Sequence, residues 1–477
     1  MVQSETIEDM AKTTVDKQEE FTLETVDSKD SQRRNNVGED ANLLQSYWSS
    51  PRLVGSVIGV ILLANSLYIG YAMPVNVLSV INADIGPSPN IYLVTMVYTL
   101  LAGVLHLVVA RLSDILGRRY FLIGGQLFGV IGSIVCAQAS NVDMLIGGSV
   151  LTGIAGAGGL LYPVLIHELL PNKHRSLGQG AVTLTVLPTL GFAPAIARTM
   201  ISHTTLGWRW CYWLNVMVSG LSLILFLTCY FPPNFYMINS ELTKWQEVKE
   251  LDYGGLVLYF GGLILVILGF TWAEGIYPWK SVHIITSLVV GVLTLIGFAL
   301  YETYMPLKQP LLPVRLLKIR NLSACVFIGS TAQMVYLALN VLWPIQINSL
   351  FTTDNITIGL LSSTTGVALV AGELIVSPLF RTVGYLKWQL VIASVVTAVF
   401  GTLMAAVTYE TEHMAIAFTI LAGLAVGWIE LVTIVVVGLV APPNDIGVAQ
   451  GFFGSTRLVF GTIASKFYPF QPHLTHR

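Results

Sequence analysis

Charged residues are scarce in this chain. Asp, Glu, Lys and Arg make up 11% of its 477 residues, whereas apolar residues make up 54%. Soluble domains carry about 25% charged residues, so the scarcity excludes a soluble globular protein and predicts an all-α integral membrane protein. The few charges are unevenly placed, because residues 1–50 hold eleven acids and five bases. We expect this acidic segment to be a disordered cytoplasmic tail, since it lacks aliphatic periodicity.

Cysteine is also rare, and several chemical signals are missing. The four cysteines lie within or at the edges of apolar runs, without the paired spacing of a metal or redox motif. The start of the chain lacks the basic and apolar regions of a signal peptide, so we expect no cleaved leader. No nucleophile–base pair, Walker lysine or nucleotide-binding domain is recognisable. We therefore expect no enzyme, no cofactor, no metal, no ATP-driven pump and no nucleic-acid partner.

Long apolar runs, by contrast, recur along the chain after Arg52. A helix needs about 20 residues to cross the hydrocarbon core. Thirteen runs of roughly this length, the last of them the weakest, predict spans near 53–82, 91–110, 120–140, 143–166, 178–202, 211–231, 254–273, 282–305, 322–347, 356–380, 388–408, 413–440 and 446–465. If the N-terminus is cytoplasmic, thirteen basic residues fall in cytoplasmic loops and only Arg209 and Lys280 fall in the opposite ones. This asymmetry predicts a cytoplasmic N-terminus.

A cluster of charges lies between the second and third apolar runs. The sequence from Ala110 to Arg119 reads A-R-L-S-D-I-L-G-R-R. The carboxylate of Asp114 can meet a helix N-terminus or the guanidinium groups of Arg118 and Arg119. Gly117 permits the tight reversal that a bulky residue would resist. We predict that this loop gates the movement of two helix bundles; the simpler alternative is a topology anchor.

Other motifs accompany this loop, and together they carry a family resemblance. They are G-W-R-W-C-Y-W-L-N at 207–215, L-D-Y-G-G at 251–255, W-A-E-G at 272–275, Y-P-W-K-S at 277–281, L-K-Q-P-L at 307–311 and A-P-P-N-D-I-G at 441–447. The loop resembles the signature loop of the major facilitator superfamily, with Ala110 where a Gly is usual. The whole set is similar to the fungal trichothecene efflux pump family, in the fourteen-span drug:proton antiporter branch, whose relatives include siderophore–iron transporters. The resemblance covers about residues 53–465.

This resemblance implies a major facilitator fold with fourteen spans, of which the chain offers about 12–13. The expected organisation is a six-helix N-terminal bundle (53–231), a cytoplasmic loop (232–252), two linking helices (253–305), a second cytoplasmic loop (306–321), an incomplete C-terminal bundle (322–465) and an atypical tail (466–477). Two prolines in that tail cannot continue a membrane helix. We therefore expect a C-terminally truncated chain, in which polar groups such as Arg457 are poorly covered.

Two antiporter signatures of the superfamily are altered here. In the span-four signature, Ser149 stands where the family has the Arg often assigned to proton coupling, although Gly153 and Gly156 match. In the span-five signature, Pro194 is present and Arg198 stands where a Gly is usual. The matching residues predict close helix packing, but proton coupling by the usual route is not supported.

Ionisable residues inside the spans offer other routes, since each must face the bundle interior or a wet cavity. Glu373, Glu430 and His106 are candidates for proton coupling. Arg457 is a candidate for substrate binding or charge pairing, and Arg198 could attract an anionic substrate or extend to the interface. The alternative for each glutamate is a fixed interhelical hydrogen bond or an ion pair, for instance with Arg457.

A sequon at Asn355 falls in a predicted outer loop, which makes Asn355 a glycosylation candidate. It lies close to the start of a span.

The predicted function is secondary active transport by alternating access. We expect the chain to export a small apolar secondary metabolite, toxin or drug in exchange for protons. The alternatives are siderophore–iron uptake by the same fold, and a non-transporting receptor, sensor or inactive truncated form. The expected location is the plasma membrane, with a vacuolar or vesicle membrane as the alternative.

Overall fold

The computed structural model describes residues 50–170, 174–231, 251–273, 277–305, 307, 309–442 and 445–464. These residues are helical, with two isolated β-bridges and no strand among them. The predicted tail at 466–477 lies outside the described residues, as do nearly all of the acidic segment 1–50 and most of the loop 232–252.

Thirteen long helices follow one another along the chain, close to the predicted spans. They are α1 (Pro51–Asn76), α2 (Leu93–Leu116), α3 (Arg118–Ala137), α4 (Val142–Leu169), α5 (Arg175–Gly191 with Ala193–His203), α6 (Arg209–Thr228), α7 (Tyr253–Trp272), α8 (Val282–Tyr304), α9 (Arg320–Gln346), α10 (Asn355–Val383), α11 (Leu386–Leu403), α12 (Glu412–Val440) and α13 (Ile446–Ala464). By length and composition, eleven helices in this part of the chain could cross a membrane, or twelve if the bent α5 is one span. The prediction of an all-helical polytopic architecture is confirmed.

The spans predicted at 53–82 and 178–202 are each interrupted near a proline. Helix α1 contains Pro74 and ends at Asn76, after which a short helix (Leu78–Ile85) follows. Helix α5 is broken after the π-helical turn Leu187–Gly191, whose second residue is proline, and its two parts meet at a bend of 44°. A proline removes a backbone donor and crowds the preceding turn, which accounts for a break in each of these two spans.

The helices pack in two groups. In the first, α3 lies against α4 and α6, while α2 contacts α4 and α1 contacts α6. In the second, α10 lies against α12, α9 against α13 and α11 against α12. Helices α7 and α8 pack against each other as a linking pair. The exact domain boundaries given above stay predictions.

Two seams join the groups, one between α2 and α13 and one between α5 and α10. Glycines allow the close approach at both. A Cβ atom on Gly451 of α13 would lie 2.5 Å from the Cβ of Ala110, and one on Gly366 of α10 would lie 2.7 Å from a backbone oxygen of α5. The linking pair covers the first seam, where the hydroxyl groups of Tyr259 and Ser455 are 2.5 Å apart. The chain therefore brings polar residues from both groups to the seams.

Candidate functional site

A buried polar cluster lies where α5, α9, α10, α12 and α13 meet. Its members, called the central cluster below, are Thr183, Gln333, Glu373, Glu430 and Arg457. Each belongs to a helix that is otherwise largely apolar. Polar groups in such surroundings must satisfy one another, which explains why residues far apart in sequence converge here.

Within the central cluster, Glu430 and Arg457 form an ion pair between α12 and α13. Their side chains are only 10% and 12% exposed. Arg457 Nη2 also donates to Gln333 Oε1 at 2.7 Å, and the guanidinium lies 5.1 Å from the centroid of the Phe453 ring. The expectation that Arg457 is poorly covered was wrong, because α9 and α12 supply its partners.

Glu373 has a different environment. The hydroxyl of Thr183 donates to Glu373 Oε2 at 2.5 Å, which links α5 of the first group to α10 of the second. The glutamate is 5% exposed. No cation of the described residues lies within ion-pair distance of it. The two predicted glutamates therefore lie in the same region, but only Glu430 is held by a guanidinium.

Two tyrosines of the first group face the central cluster. The hydroxyl groups of Tyr68 on α1 and Tyr162 on α4 are neighbours, and both lie within electrostatic range of Glu373 and Glu430. Sequence reasoning missed them, since nothing in the local sequence separates these two from the other tyrosines among the nineteen. They place the central cluster between the two groups of helices, where a substrate path is expected in a transporter.

His106, the third proton-coupling candidate, lies on the α2–α13 seam rather than among the glutamates' contacts. Its Nδ1 is 3.0 Å from the carbonyl oxygen of Ala157 on α4. A Cβ atom on Gly454 of α13 would lie 2.7 Å from the imidazole ring. His106 is 2% exposed, and its role in coupling stays a prediction.

The predicted gating loop holds an ion-pair network at the end of α2. Gly117 has a φ of 102°, a conformation that favours glycine, and this ends the helix. Arg118 Nη2 lies 2.6 Å from Asp114 Oδ1, and its Nε lies 2.5 Å from Glu168 Oε1 on α4. The Asp114 carboxylate also lies against Gly447 in the first turn of α13. A carboxylate is stabilised at such a helix N-terminus, so Asp114 links α2 of the first group to α13 of the second, and Arg118 holds the Asp114 carboxylate in place.

Arg119 takes no part in that network. Its Nη2 donates to the carbonyl oxygen of Leu227 at 2.9 Å, and its guanidinium lies 3.9 Å from the centroid of the Phe231 ring. The expected pairing with Asp114 was wrong, because successive residues of a helix point about 100° apart. Arg119 therefore faces α6, while Arg118 faces Asp114 and Glu168.

At the opposite end of the second seam, Arg198 binds the predicted sequon residue. Arg198 Nη1 donates to Asn355 Oδ1 at 2.9 Å, joining α5 to α10. Pro194 lies at the start of the second part of α5, where its missing N–H costs nothing. A Cβ atom on Gly359 of α10 would lie 3.3 Å from the Pro194 carbonyl oxygen. Arg198 thus has a partner within the protein, and glycosylation of the exposed Asn355 stays a prediction.

The span-four glycines lie where α4 crosses α2. A Cβ atom on Gly153 would lie 3.1 Å from the backbone oxygen of Tyr98, and one on Gly156 would lie 3.0 Å from the Tyr98 hydroxyl. Ser149, at the position of the family's arginine, donates to the Leu145 carbonyl of its own helix at 2.9 Å. This region therefore provides close packing and no cation.

The tryptophan–arginine motif before α6 has a partner that the sequence did not reveal. Trp208 Nε1 donates to Asp84 Oδ2 at 2.8 Å, and Arg209 Nη1 donates to the same oxygen at 3.0 Å. These two hydrogen bonds, the one from Trp208 foremost, hold the pKa of Asp84 below its usual value. The motif thus fastens α6 to the short helix after α1.

Comparison with known proteins is consistent with this arrangement. The family model for the fungal trichothecene efflux pump (TRI12) matches residues 12–469. The chain belongs to this family. A trichothecene efflux pump from Trichoderma arundinaceum is 28% identical over 445 residues, which are 92% of this chain and 74% of that protein. Members of the TRI12 family are transporters, so the chain is a membrane efflux transporter and not an enzyme.

Solved structures share the fold at low sequence identity. The human organic anion transporter MFSD10 superposes with a TM-score of 0.61 at 11% identity, covering 88% of this chain and 93% of that one. The proton:xylose symporter XylE, a major facilitator superfamily protein, gives a TM-score of 0.54 at 14% identity, covering 87% and 86%. This TRI12 family chain therefore has the major facilitator fold.

Proposed function

We propose that this efflux transporter exports a small, largely apolar secondary metabolite in exchange for inward-moving protons, by alternating access between its two helix groups. The observation that carries the proposal is the Thr183–Glu373 hydrogen bond, which joins the groups at a buried carboxyl group. When a proton binds the Glu373 carboxylate, its negative charge is lost and the hydrogen bond from Thr183 becomes weaker. This bond lies between the two groups, which must separate there during alternating access.

Glu373 is the proposed proton carrier, and the contacts of the two glutamates support that choice. Protonation of Glu430 would break its ion pair with Arg457, at a cost of several kcal/mol for a buried pair. Protonation of Glu373 breaks no ion pair, because its hydrogen-bond partner is the neutral hydroxyl of Thr183. Glu373 can therefore take up and release a proton while Glu430 and Arg457 keep α12 and α13 in register.

The substrate class is supported by the family and by the surroundings of the central cluster. The family takes its description from the fungal trichothecene efflux pump, and the relative from Trichoderma arundinaceum carries the same name. In this chain, Tyr68 and Tyr162 reach the cluster from the first group. Tyrosine combines an apolar ring with a hydrogen-bonding hydroxyl, which suits an oxygenated terpenoid of the trichothecene type.

The proposed orientation has the N-terminus in the cytoplasm and the plasma membrane as the site of action. The excess of basic residues in the loops on the side of the Asp114 network supports it. On that side α4 and α5 contact α12, where Arg175 Nη1 lies 3.5 Å from the Gly438 carbonyl oxygen. The structure then corresponds to a state whose cytoplasmic side is closed.

Transport into inverted membrane vesicles tests the proposal. With an acidic lumen, vesicles that contain the wild-type chain should accumulate a radiolabelled trichothecene, and a protonophore should abolish the accumulation. Glu373→Gln should abolish gradient-driven accumulation, while the exchange of labelled for unlabelled compound across the membrane should persist.

The matched control is Glu410→Gln, because Glu410 is an exposed acid in the loop before α12. It should behave as the wild type. Accumulation by Glu373→Gln that still responds to the proton gradient would refute the assignment of the carrier, and failure of wild-type vesicles to move any trichothecene would refute the substrate class.

A further inference from the structure

Two carboxyl groups outside the central cluster meet at the base of the linking pair. Asp252 precedes the first turn of α7, and Glu302 lies in the last turn of α8. The two side chains are within hydrogen-bonding reach of each other. They are 5% and 8% exposed, so two acids share a nearly dry site.

One oxygen of each carboxyl group is satisfied by the backbone. The N–H of Gly255 donates to Asp252 Oδ1 at 2.7 Å, and the N–H of Leu312 donates to Glu302 Oε1 at 3.0 Å. The other two oxygens, Asp252 Oδ2 and Glu302 Oε2, are buried without a hydrogen-bond donor among the described residues. A small cavity lies beside Asp252, lined also by Arg111 and Gln309. A buried oxygen without a donor lowers the stability of the folded state. Because Asp252 Oδ2 and Glu302 Oε2 lie close together, a proton between them would satisfy both.

Among the residues that the structure describes, no cation forms an ion pair with Asp252 or Glu302. Arg111 of α2 faces Glu302, but none of its nitrogens lies within ion-pair distance of either acid in the described chain. The Tyr301 hydroxyl, on α8, lies within hydrogen-bonding reach of the Asp252 carboxyl group, to which it can add a neutral hydrogen bond but no positive charge. Arg315 forms an ion pair with Asp445, in which Nη2 and Oδ2 are 2.7 Å apart. Two adjacent carboxylates would repel each other here.

We propose that Asp252 and Glu302 form a proton-binding site in which a single proton is shared between Asp252 Oδ2 and Glu302 Oε2. The site lies outside the central cluster and is separate from the proposed carrier Glu373. One shared proton supplies both oxygens with a hydrogen bond and removes one of the two negative charges. It holds α7 and α8 together at their ends.

The same site is connected to the gating loop through the segment Gln309–Leu317. In this segment, the N–H of Leu312 donates a hydrogen bond to Glu302. Three residues later, Arg315 forms an ion pair with Asp445, which directly precedes α13. The first turn of α13 lies against Asp114. Loss of the shared proton leaves two carboxylates that repel each other, and movement of Glu302 away from Asp252 shifts the segment bound to it and so the start of α13. This makes the site a sensor of pH on the gate side of the membrane.

The pH dependence of thermal unfolding tests the site in the purified full chain, in detergent, without any substrate. Unfolded carboxyl groups release their protons near pH 4, whereas the folded site keeps one. The folded state then binds more protons than the unfolded state, so stability falls as pH rises above about 5. Wild-type unfolding midpoints should decrease as the pH rises above about 5 and level off once the folded site has lost its proton.

Glu302→Gln should flatten this slope, because its amide donates permanently to Asp252 Oδ2 and its oxygen still accepts from Leu312. Glu410→Gln, an exposed acid, should keep the wild-type slope. A slope in Glu302→Gln equal to that of the wild type overturns the proposal.

Chemical labelling of the wild-type chain gives a second readout that needs no variant. Dicyclohexylcarbodiimide forms stable adducts with protonated carboxyl groups in apolar surroundings, and mass spectrometry locates them. An adduct on Asp252 or Glu302 at about pH 6, lost at about pH 9, is expected. Absence of any adduct on both residues overturns the proposal, while an adduct on Glu373 bears only on the proposed transport function.

Discussion

At the scale of single residues, two glutamates with similar sequence settings have different partners. Glu373 and Glu430 each interrupt an apolar helix at a comparable depth, so the sequence marks both as functional candidates. The ion pair with Arg457 belongs to Glu430 alone, and Thr183 binds Glu373. The assignment of carrier and structural pair depends on these contacts, which no local pattern could supply.

The ion pair leads to a prediction about stability. Arg457→Ala should destabilise the chain by about 3–5 kcal/mol, because it leaves Glu430 buried and unpaired. The double variant Arg457→Ala with Glu430→Ala should recover a substantial part of that loss, since no lone charge remains. Thermal unfolding in detergent measures both.

An exposed ion pair provides the control. Asp84 and Arg209 are 50% and 31% exposed, so Arg209→Ala, which leaves Asp84 its hydrogen bond from Trp208, should cost about 1 kcal/mol or less after screening by solvent. A double variant less stable than Arg457→Ala would contradict the explanation by an unpaired charge.

At the scale of helices, the seams depend on glycines whose neighbours come from distant parts of the chain. The sequence predicts close packing at Gly153 and Gly156 from their spacing. Nothing local distinguishes Gly451, yet a Cβ atom there would meet Ala110 and the backbone at Leu107 on α2. The same holds for the position of α7, whose apolar residues pack against α2 and α13.

Substitution on the seam should therefore be more harmful than substitution elsewhere on a helix. Gly451→Val should reduce both the unfolding midpoint and the gradient-driven efflux, because the added atoms push α13 away from α2. Gly220→Val on α6, where a Cβ atom has no neighbour within 4 Å, should leave both near wild type. Equal effects of the two substitutions would show that helix propensity rather than the seam is responsible.

At the scale of the whole molecule, the two helix groups are held together on the gate side by few polar contacts. Arg118 pairs with Asp114 and Glu168 within the first group, and this network holds the Asp114 carboxylate against the first turn of α13 in the second group. Such charge-assisted bonds contribute about 1.5–3 kcal/mol each. A shift of 1.4 kcal/mol changes a population tenfold, so we predict that loss of this network separates the two groups on this side more often.

Arg118→Ala should thus raise the exposure of the gate-side path by about tenfold or more. The measure is the labelling rate of a cysteine placed at Gln179, which is 1% exposed on α5, in a background without the native cysteines. Arg119→Ala is the matched control, because Arg119 contacts Leu227 and Phe231 instead of the gate. Equal labelling rates in the two variants would contradict the assigned difference between neighbouring arginines.

The class of molecule, the number and approximate position of its helices and the family could all be inferred from the amino-acid sequence. Hydrophobic runs and loop charges depend only on the cost of placing each residue in lipid or water, and that cost is a local property. The tertiary structure decided which charges pair, where α5 bends, that Arg457 is covered and that Asp252 meets Glu302. Those outcomes depend on contacts between residues far apart along the chain, and only packing of the helices brings them together.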